Sequence, residues 1–492
     1  MSIRGGDCTA DTNKRVDPHS RSAISSGDII IPIYREFSAD ALTPTEAFTR
    51  LCRFDEPGFL LESMSGIGGG ARFSYVGHRP RPISIGDGDP LASLHSLVHS
   101  RVEPVKDLPP FVGGAVGYVS YEVARHFEKL PISKGGSPRL PESSFLYVDD
   151  LAVFDHASSR LLLITLHRPE VEKREAALDR IERMRQRLFE PITTFDGDGP
   201  MPAARTSIST GRRGSSWTAN ISRAKFFAMA EQAREYILGG EIFQVVLSQR
   251  FSKPLLTSPS EIYRQLRIVN PSPYMFHLAL GQGRHIIGAS PELLVKVDGG
   301  QVETRPLAGT RWRGGDESSD ATLETELRAD EKERAEHIML VDLGRNDIGR
   351  VALPGSVRTP RLMDVERYSH VMHLSSTVTG TLDADRDCLD ALRSTFPAGT
   401  VTGAPKIRAM EIIAELEPEQ RGVYGGAVGM IGVGGDLDVA ITLRTLVIAD
   451  GVIHVQAGAG IVADSDMEAE YQETINKAKA IFAAVERAEE RL

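Results

Sequence analysis

The spacing of apolar positions changes several times along this chain, and the changes divide it. Over residues 29–189, short runs rich in β-branched and aromatic residues (IIIPIYREF, GFLLES, RFSYVG, FLYVDDLAVFDH, RLLLITLH) alternate with turn residues, which predicts a largely antiparallel sheet. Thr43-Pro44-Thr45 signals a helix over 43–54. FVGGAVGYVSYEVARHFE (111–128) reads as a glycine-rich strand running into a helix, and 170–189 as a charged amphipathic helix. Residues 191–216 lose the apolar pattern and are rich in Gly, Ser and Pro, as a linker would be.

Beyond the linker, helices are expected at 222–238, 259–268, 330–350, 386–395 and 467–488. EIFQVVLSQRFSKPL reads as a strand, and NPSPYMFHLAL as a turn entering one. A Gly299-Gly300 hairpin separates IIGASPELLVKV from QVETRPLAGTR. Three further strands are read from VYGGAVGMIGV, LDVAITLRTLVIAD and VIHVQAGAGIV. Strands and helices interleave without strict βαβ alternation. The expected fold class is therefore α+β (mixed α/β), a layered sandwich of large antiparallel sheets flanked by helices. The expected organisation is a disordered tail (1–28), an N-terminal β-rich domain (29–190), the linker (191–216) and a larger second domain (217–492).

Composition narrows the function classes. The 492 residues are 41% hydrophobic and 25% charged, as in ordinary soluble proteins. The net charge of −10 argues against a nucleic-acid surface. Cys8, Cys52 and Cys388 are scattered and form no CxxC pair, so neither a disulfide framework nor a zinc site is indicated, and a reducing, cytoplasmic setting is expected. No run approaches the ~18 apolar residues of a membrane span. The polar first 28 residues lack an apolar signal core, although their arginines and serines leave an organelle-targeting reading open.

Two predicted helices carry the same device. Glu333 and Glu336 are three apart, as are Glu470 and Glu473, with Lys477 one turn on. If the faces are wet, these are ordinary solvated helices. If they border one cleft, like-charge repulsion makes them costly unless a hard divalent cation sits between them. Arg444, inside the apolar run AITLRTLVI, is shaped for a carboxylate or else faces water from an edge strand. Lys406 heads the helix IRAMEII, where donors converge on an anion. His370 and His373 are three apart. Glycine is dense between 399 and 460, suggesting backbone that approaches a ligand. GAGIVA (458–463) matches a dinucleotide fingerprint poorly, because no βαβ unit follows it. GxSxG, HExxH and Walker A patterns do not occur.

Taken in order, LLES (60–63), NPSPYMF (270–276), RPLAGTR (305–311), ERAEHIMLVDLGRNDIGRV (333–351), SHVMHLSSTV (369–378), FPAGTVTGAPKIRAMEII (396–413), YGGAVGMIG (424–432), QAGAGIVADSD (456–466) and EAEYQETINKAKA (468–480) resemble the chorismate-utilising enzymes. The branch they resemble most is that of the large, aminase subunits of anthranilate synthases. The resemblance implies a cleft holding chorismate and one Mg²⁺, with Glu336 and Glu473 as metal ligands and Glu333 and Glu470 nearby. It implies that Gly309, Thr310, Tyr424, Arg444, Gly458, Ala459 and Gly460 hold chorismate. His373 matches the family's catalytic histidine and Glu292 the acid that protonates the departing C4 hydroxyl, with Thr400 and Lys477 close by. Gln244 and Ala308 stand where water-using and lysine-nucleophile members carry lysines, so the ammonia-using reaction is implied. Glu62, Ser63, Asn270, Pro271, Pro273, Tyr274, Met275 and Phe276 resemble a feedback site for L-tryptophan. The implied partner is a glutamine amidotransferase subunit supplying ammonia, in a heterotetramer of two large and two small subunits. Synthases that stop at aminodeoxyisochorismate or make aminodeoxychorismate, and a tryptophan-binding regulatory protein, remain as alternatives.

Overall fold

The computed structural model describes residues 28–52, 56–64, 72–131, 135–136, 138, 140–190, 216–367 and 371–491. The tail read over 1–28, the linker read over 191–216 and His370 fall almost wholly or wholly outside the described residues.

Helices begin where the sequence supplies a side chain for their first free N–H groups. Thr43 caps Pro44–Leu51, Ser222 caps Arg223–Leu238 and Ser258 caps Pro259–Val269. Asp330 caps Glu331–Gly349, Asp387 caps Cys388–Thr395 and Asp466 caps Met467–Glu490. The helix expected after strand Gly114–Val119 is only a 3₁₀ segment, Tyr121–His126, and its N-cap Ser120 makes no side-chain cap hydrogen bond.

Among the described residues the strands form two sheets, of 13 and 10 strands. Each is woven from both ends of the chain. In the larger sheet Gly58–Glu62 pairs antiparallel with Tyr274–Gly281, placing Glu62 opposite Met275. In the smaller sheet Gly114–Val119 pairs with Ala427–Gly432, placing Gly117 opposite Gly429. Side chains alternate across the larger sheet with the period of two that a pleat imposes. Phe59, Phe276 and Ile286 point inward, to pack with Val116, Tyr118, Val428 and Ala440 of the smaller sheet. Their neighbours Leu60, Met275 and Ile287 point outward, under helices that contribute Phe48, Ile181, Ile262, Ile481 and Val485. Burial on both faces explains why these strands read as continuous apolar runs.

Two of the runs read as single strands are not. IIGASPELLVKV divides into Arg284–Ser290 in the larger sheet and Leu293–Asp298 in the smaller. LDVAITLRTLVIAD divides likewise into Leu437–Ile441 and Thr445–Ala449. Arg444 therefore does not lie in a strand; it sits where the chain crosses between sheets, at φ +47°. Glu292 occupies the other crossing. The crossings are tied together: Ser290 Oγ donates to Ile441 O (2.6 Å), Ile441 N to Glu292 O (3.1 Å) and Ala289 N to Arg444 O (3.1 Å).

Candidate active site

The crossings bring a carboxylic acid and a guanidinium to one region. Glu292 is 6% exposed, beside the Thr400 hydroxyl and the Leu307 N–H. Burial raises its carboxyl to about 8, so it carries its proton at neutral pH. Arg444 donates from Nη1 to Asn270 Oδ1 at 3.4 Å.

His373 lies on strand Val371–Thr381, and its Nδ1 is 3.0 Å from Gly309 O. A carbonyl can only accept, so Nδ1 holds the ring proton and Nε2 keeps its lone pair. Burial lowers the imidazole to about 4, and the charges of Arg444 and Lys477 act the same way. His373 is therefore a neutral base and Glu292 a protonated acid, and the Lys477 charge acts on both. Gly309 has φ +68° at a bulge between Ala308 and Thr310. A Cβ there would come within 3.1 Å of Glu333 Oε2 and of Leu327. Thr310 stands opposite His373 in the ladder; its side chain is outside the description.

Helix Met467–Glu490 packs on strand Val452–Ile461, and helix Glu331–Gly349 is connected to it through Gln244. Glu336 Oε1 accepts from Gln244 Nε2 at 2.9 Å, and Gln244 lies against Gly460, where a Cβ would sit 2.6 Å from that nitrogen. Lys477 Nζ bridges Glu473 Oε1 (2.6 Å) and Gly458 O (3.0 Å). Tyr424, buried and pushed up to about 12, has its hydroxyl 2.7 Å from where a Gly458 Cβ would be, and its phenol feels the Glu473 charge. The glycines thus let the Tyr424 hydroxyl and the Gln244 amide lie directly against one face of the strand. Ala459 is wholly buried, and its side chain alternates to the other face, so it can offer the glycine face only main chain.

Among the described residues no three of the four glutamates bring carboxylate oxygens within 4.8 Å of one another. Glu333 is paired with Arg311 at 3.0 Å, and Glu470 accepts from Ser465 Oγ at 2.8 Å. Burial raises both carboxyls, and Glu336 and Glu473 add like-charge repulsion to Glu333 and Glu470 respectively. Hard oxygen donors held at such a cost fit a divalent cation. The sequence reading missed Arg311, which clamps both Glu333 and Asp330. Its place in RPLAGTR, a strand facing an acidic helix, was the available signal. Lys406, read as an anion site, is instead consumed by Asp347 Oδ2 at 2.8 Å and Thr395 O at 3.1 Å.

A second cavity of about 470 Å³ opens between the sheets, lined by Glu62, Ser63, Pro273, Tyr274, Met275 and Phe276 together with Asp438. Glu62 is 4% exposed; Arg267 Nε lies 3.1 Å away, yet neither carboxylate oxygen has an aligned hydrogen bond among the described residues. Burial raises Glu62, and raises Asp438 to about 6. Asn270 and Pro271 stand apart from this lining; Asn270 faces Arg444 instead. The cavity also touches Pro291, Leu293 and Leu307, the residues that flank or hydrogen-bond Glu292.

Residues 63–483 match the model of the chorismate binding enzyme family. The chain is 59% identical to anthranilate synthase component 1 of Streptomyces coelicolor, over 96% of this chain and 92% of that one. It is 47% identical to anthranilate synthase component 1 of Thermus thermophilus, over 94% and 99%. The crystal structure of anthranilate synthase component I from Streptococcus pneumoniae superposes with a TM-score of 0.75 at 38% identity, covering 90% of this chain and 98% of that one. The menaquinone-specific isochorismate synthase of Escherichia coli shares the fold, at a TM-score of 0.71 and 20% identity, covering 94% and 96%. The chain therefore belongs to the chorismate binding enzymes.

Proposed function

We propose that this chain is the large, aminase component of an anthranilate synthase, converting chorismate and ammonia to anthranilate and pyruvate. The observation that carries the reading is the opposed tuning of Glu292 and His373 beside Arg444, in a chain so similar to anthranilate synthase component 1. Ammonia adds at C2 of chorismate, both ring double bonds shift (C1=C2 to C1=C6 and C5=C6 to C4=C5), and the C4 hydroxyl takes the Glu292 proton and leaves as water. Aminodeoxyisochorismate results. In the second stage Nε2 of His373 removes the C2 proton, the C3–O bond breaks, and the departing enolpyruvate is protonated to pyruvate as the ring aromatises. Arg444, with the main chain of 458–460 and Tyr424, holds the carboxylates and the enolpyruvyl group. Glu336 and Glu473, with Glu333 and Glu470 alongside, would hold a Mg²⁺ whose charge offsets a substrate carboxylate.

The reaction needs ammonia, and the partner we propose is a glutamine amidotransferase subunit, two of each forming the assembly. For the second cavity we propose L-tryptophan as feedback inhibitor. Its volume falls in the ~300–1,000 Å³ range of small-molecule sites. Apolar walls suit an indole, and the buried Asp438 carboxyl suits an ammonium.

The test incubates the purified chain with chorismate, Mg²⁺ and ammonium, with and without tryptophan, and follows anthranilate fluorescence and pyruvate. Formation of both, abolished by chelator and suppressed by tryptophan, is the expected result. Accumulation of an amino-enolpyruvyl compound would replace the reading with a synthase that stops at aminodeoxyisochorismate. Tryptophan binding without turnover would leave a regulatory protein.

A further inference from the structure

Away from both cavities, His95, His99 and Asp387 each place a ligand atom within 4.8 Å of the other two. The two histidines are one helical turn apart, at the start and just past the end of the short helix His95–Val98, and their rings stack at 4.1 Å. His99 Nδ1 bonds to His95 O at 2.9 Å. That bond holds the proton on Nδ1 and leaves Nε2 with a lone pair, in the way ligating histidines are oriented. Nε2 lies 3.8 Å from Asp387 Oδ2. The other oxygen, Asp387 Oδ1, is occupied in capping helix Cys388–Thr395, accepting from Leu389 N (2.9 Å) and Asp390 N (3.0 Å). One carboxylate oxygen therefore fixes the side chain while the other faces the imidazoles.

From this geometry we infer that His95, His99 and Asp387 form a site for a borderline divalent transition metal of the Zn²⁺, Co²⁺ or Ni²⁺ class. Two imidazoles and a carboxylate are the donors such ions take, whereas Mg²⁺ prefers oxygen alone. Tetrahedral coordination at ~2.0–2.1 Å sets ligand atoms roughly 3.3 Å apart. The 3.8 Å separation is near that value, and side-chain rotation of the two exposed histidines closes the rest. The backbone is already in register, because Asp89, upstream on the same segment, pairs with Arg393 of helix Cys388–Thr395 at 2.7 Å. A bound ion would brace a segment of the N-terminal half to the helix that leads toward Thr400. The site is separate from the glutamate cleft.

Titration calorimetry of the chelator-stripped full chain with zinc, in excess Mg²⁺ to occupy the cleft, tests this. The expected result is one zinc equivalent bound, at least tenfold more weakly in His99→Ala and in Asp387→Asn, the latter retaining the capping oxygen. Cobalt(II) is expected to give a tetrahedral visible spectrum that both variants lose. Zinc is expected to raise the Tm of the parent chain and not of the variants, whose anthranilate formation and metal-free Tm report that they are folded. Unchanged zinc binding in both folded variants, or no saturable binding in the micromolar range, would overturn the site.

Discussion

A carboxyl that keeps its proton to about pH 8 inside a folded chain weakens that fold wherever the unfolded chain would ionise it. Glu292 starts from an ordinary value of 4.5 and is raised by burial. Between those values the folded state binds a proton that the unfolded state has released, so stability falls as pH rises across the window. At pH 7 the difference is on the order of 3 kcal/mol. Glu292→Gln keeps the shape and removes the liability. It is expected to be more stable than the parent by about that amount at pH 7, with the gap closing toward pH 4.5, while turnover falls by about 10²-fold or more. Urea unfolding at pH 5 and pH 7.5, with turnover on the same samples, checks both. A gap that does not grow with pH would mean that the folded carboxyl is ionised. The same acid predicts that kcat, measured at fixed free ammonia, declines above about pH 8, while the neutral His373 imposes no loss until pH approaches 4.

At the scale of elements, the glycine face of strand Val452–Ile461 separates two kinds of close approach. A Cβ at Gly458 meets the Leu247 carbonyl at 2.8 Å as well as the Tyr424 hydroxyl, and main chain cannot step aside. At Gly460 it meets only the Gln244 side chain. Gly458→Ala is therefore expected to lower Tm, whereas Gly460→Ala keeps Tm, displaces Gln244 from Glu336 and raises the KM for chorismate or the Mg²⁺ requirement. Melting curves and saturation kinetics on the pair distinguish the two. The elements also divide by how readable they were. Most long helix starts were legible because the caps are local: Thr43, Ser222, Ser258 and Asp330 announce them within three residues, although Glu317–Ala329, capped by Asp316, went unread. The crossings were not, because Glu292 and Arg444 are flanked on both sides by apolar residues belonging to different sheets, and periodicity cannot register a change of sheet. The site residues became legible through their motifs, while Arg311, and the placing of Asn270 against Arg444, required the fold. Asn270 accepts from Arg444 at the crossing. Asn270→Ala is expected to raise the KM for chorismate several-fold and to leave tryptophan suppression unchanged, read from saturation kinetics and from inhibition curves at matched saturation.

For the whole molecule, the decisive fact is that sequence order and spatial order diverge. Tyr274–Gly281 hydrogen-bonds to Gly58–Glu62, and Ala427–Gly432 to Gly114–Val119, so each sheet contains a seam between the two ends of the chain. Cutting at residue 216 would leave two unpaired strand edges in the middle of the sheets, the kind of edge that templates aggregation. It would also strip Phe59, Tyr118 and Val153 from the core that covers Phe276, Ile286 and Val428. Residues 217–492 carry Glu292, His373, Arg444 and all four glutamates, yet Tyr274–Gly281 and Ala427–Gly432, each paired to a strand that enters or leaves a crossing, would lose their outer neighbours. The fragment made alone is therefore expected to aggregate or to bind chorismate without turnover, and co-production with residues 1–190 is expected to restore soluble, active protein. The intact chain is expected to unfold in one transition, with tryptophan fluorescence and far-UV dichroism coincident. A soluble fragment turning over chorismate at the rate of the intact chain would show that the seams serve regulation alone; its failure, rescued by the missing half, would place them among the determinants of catalysis.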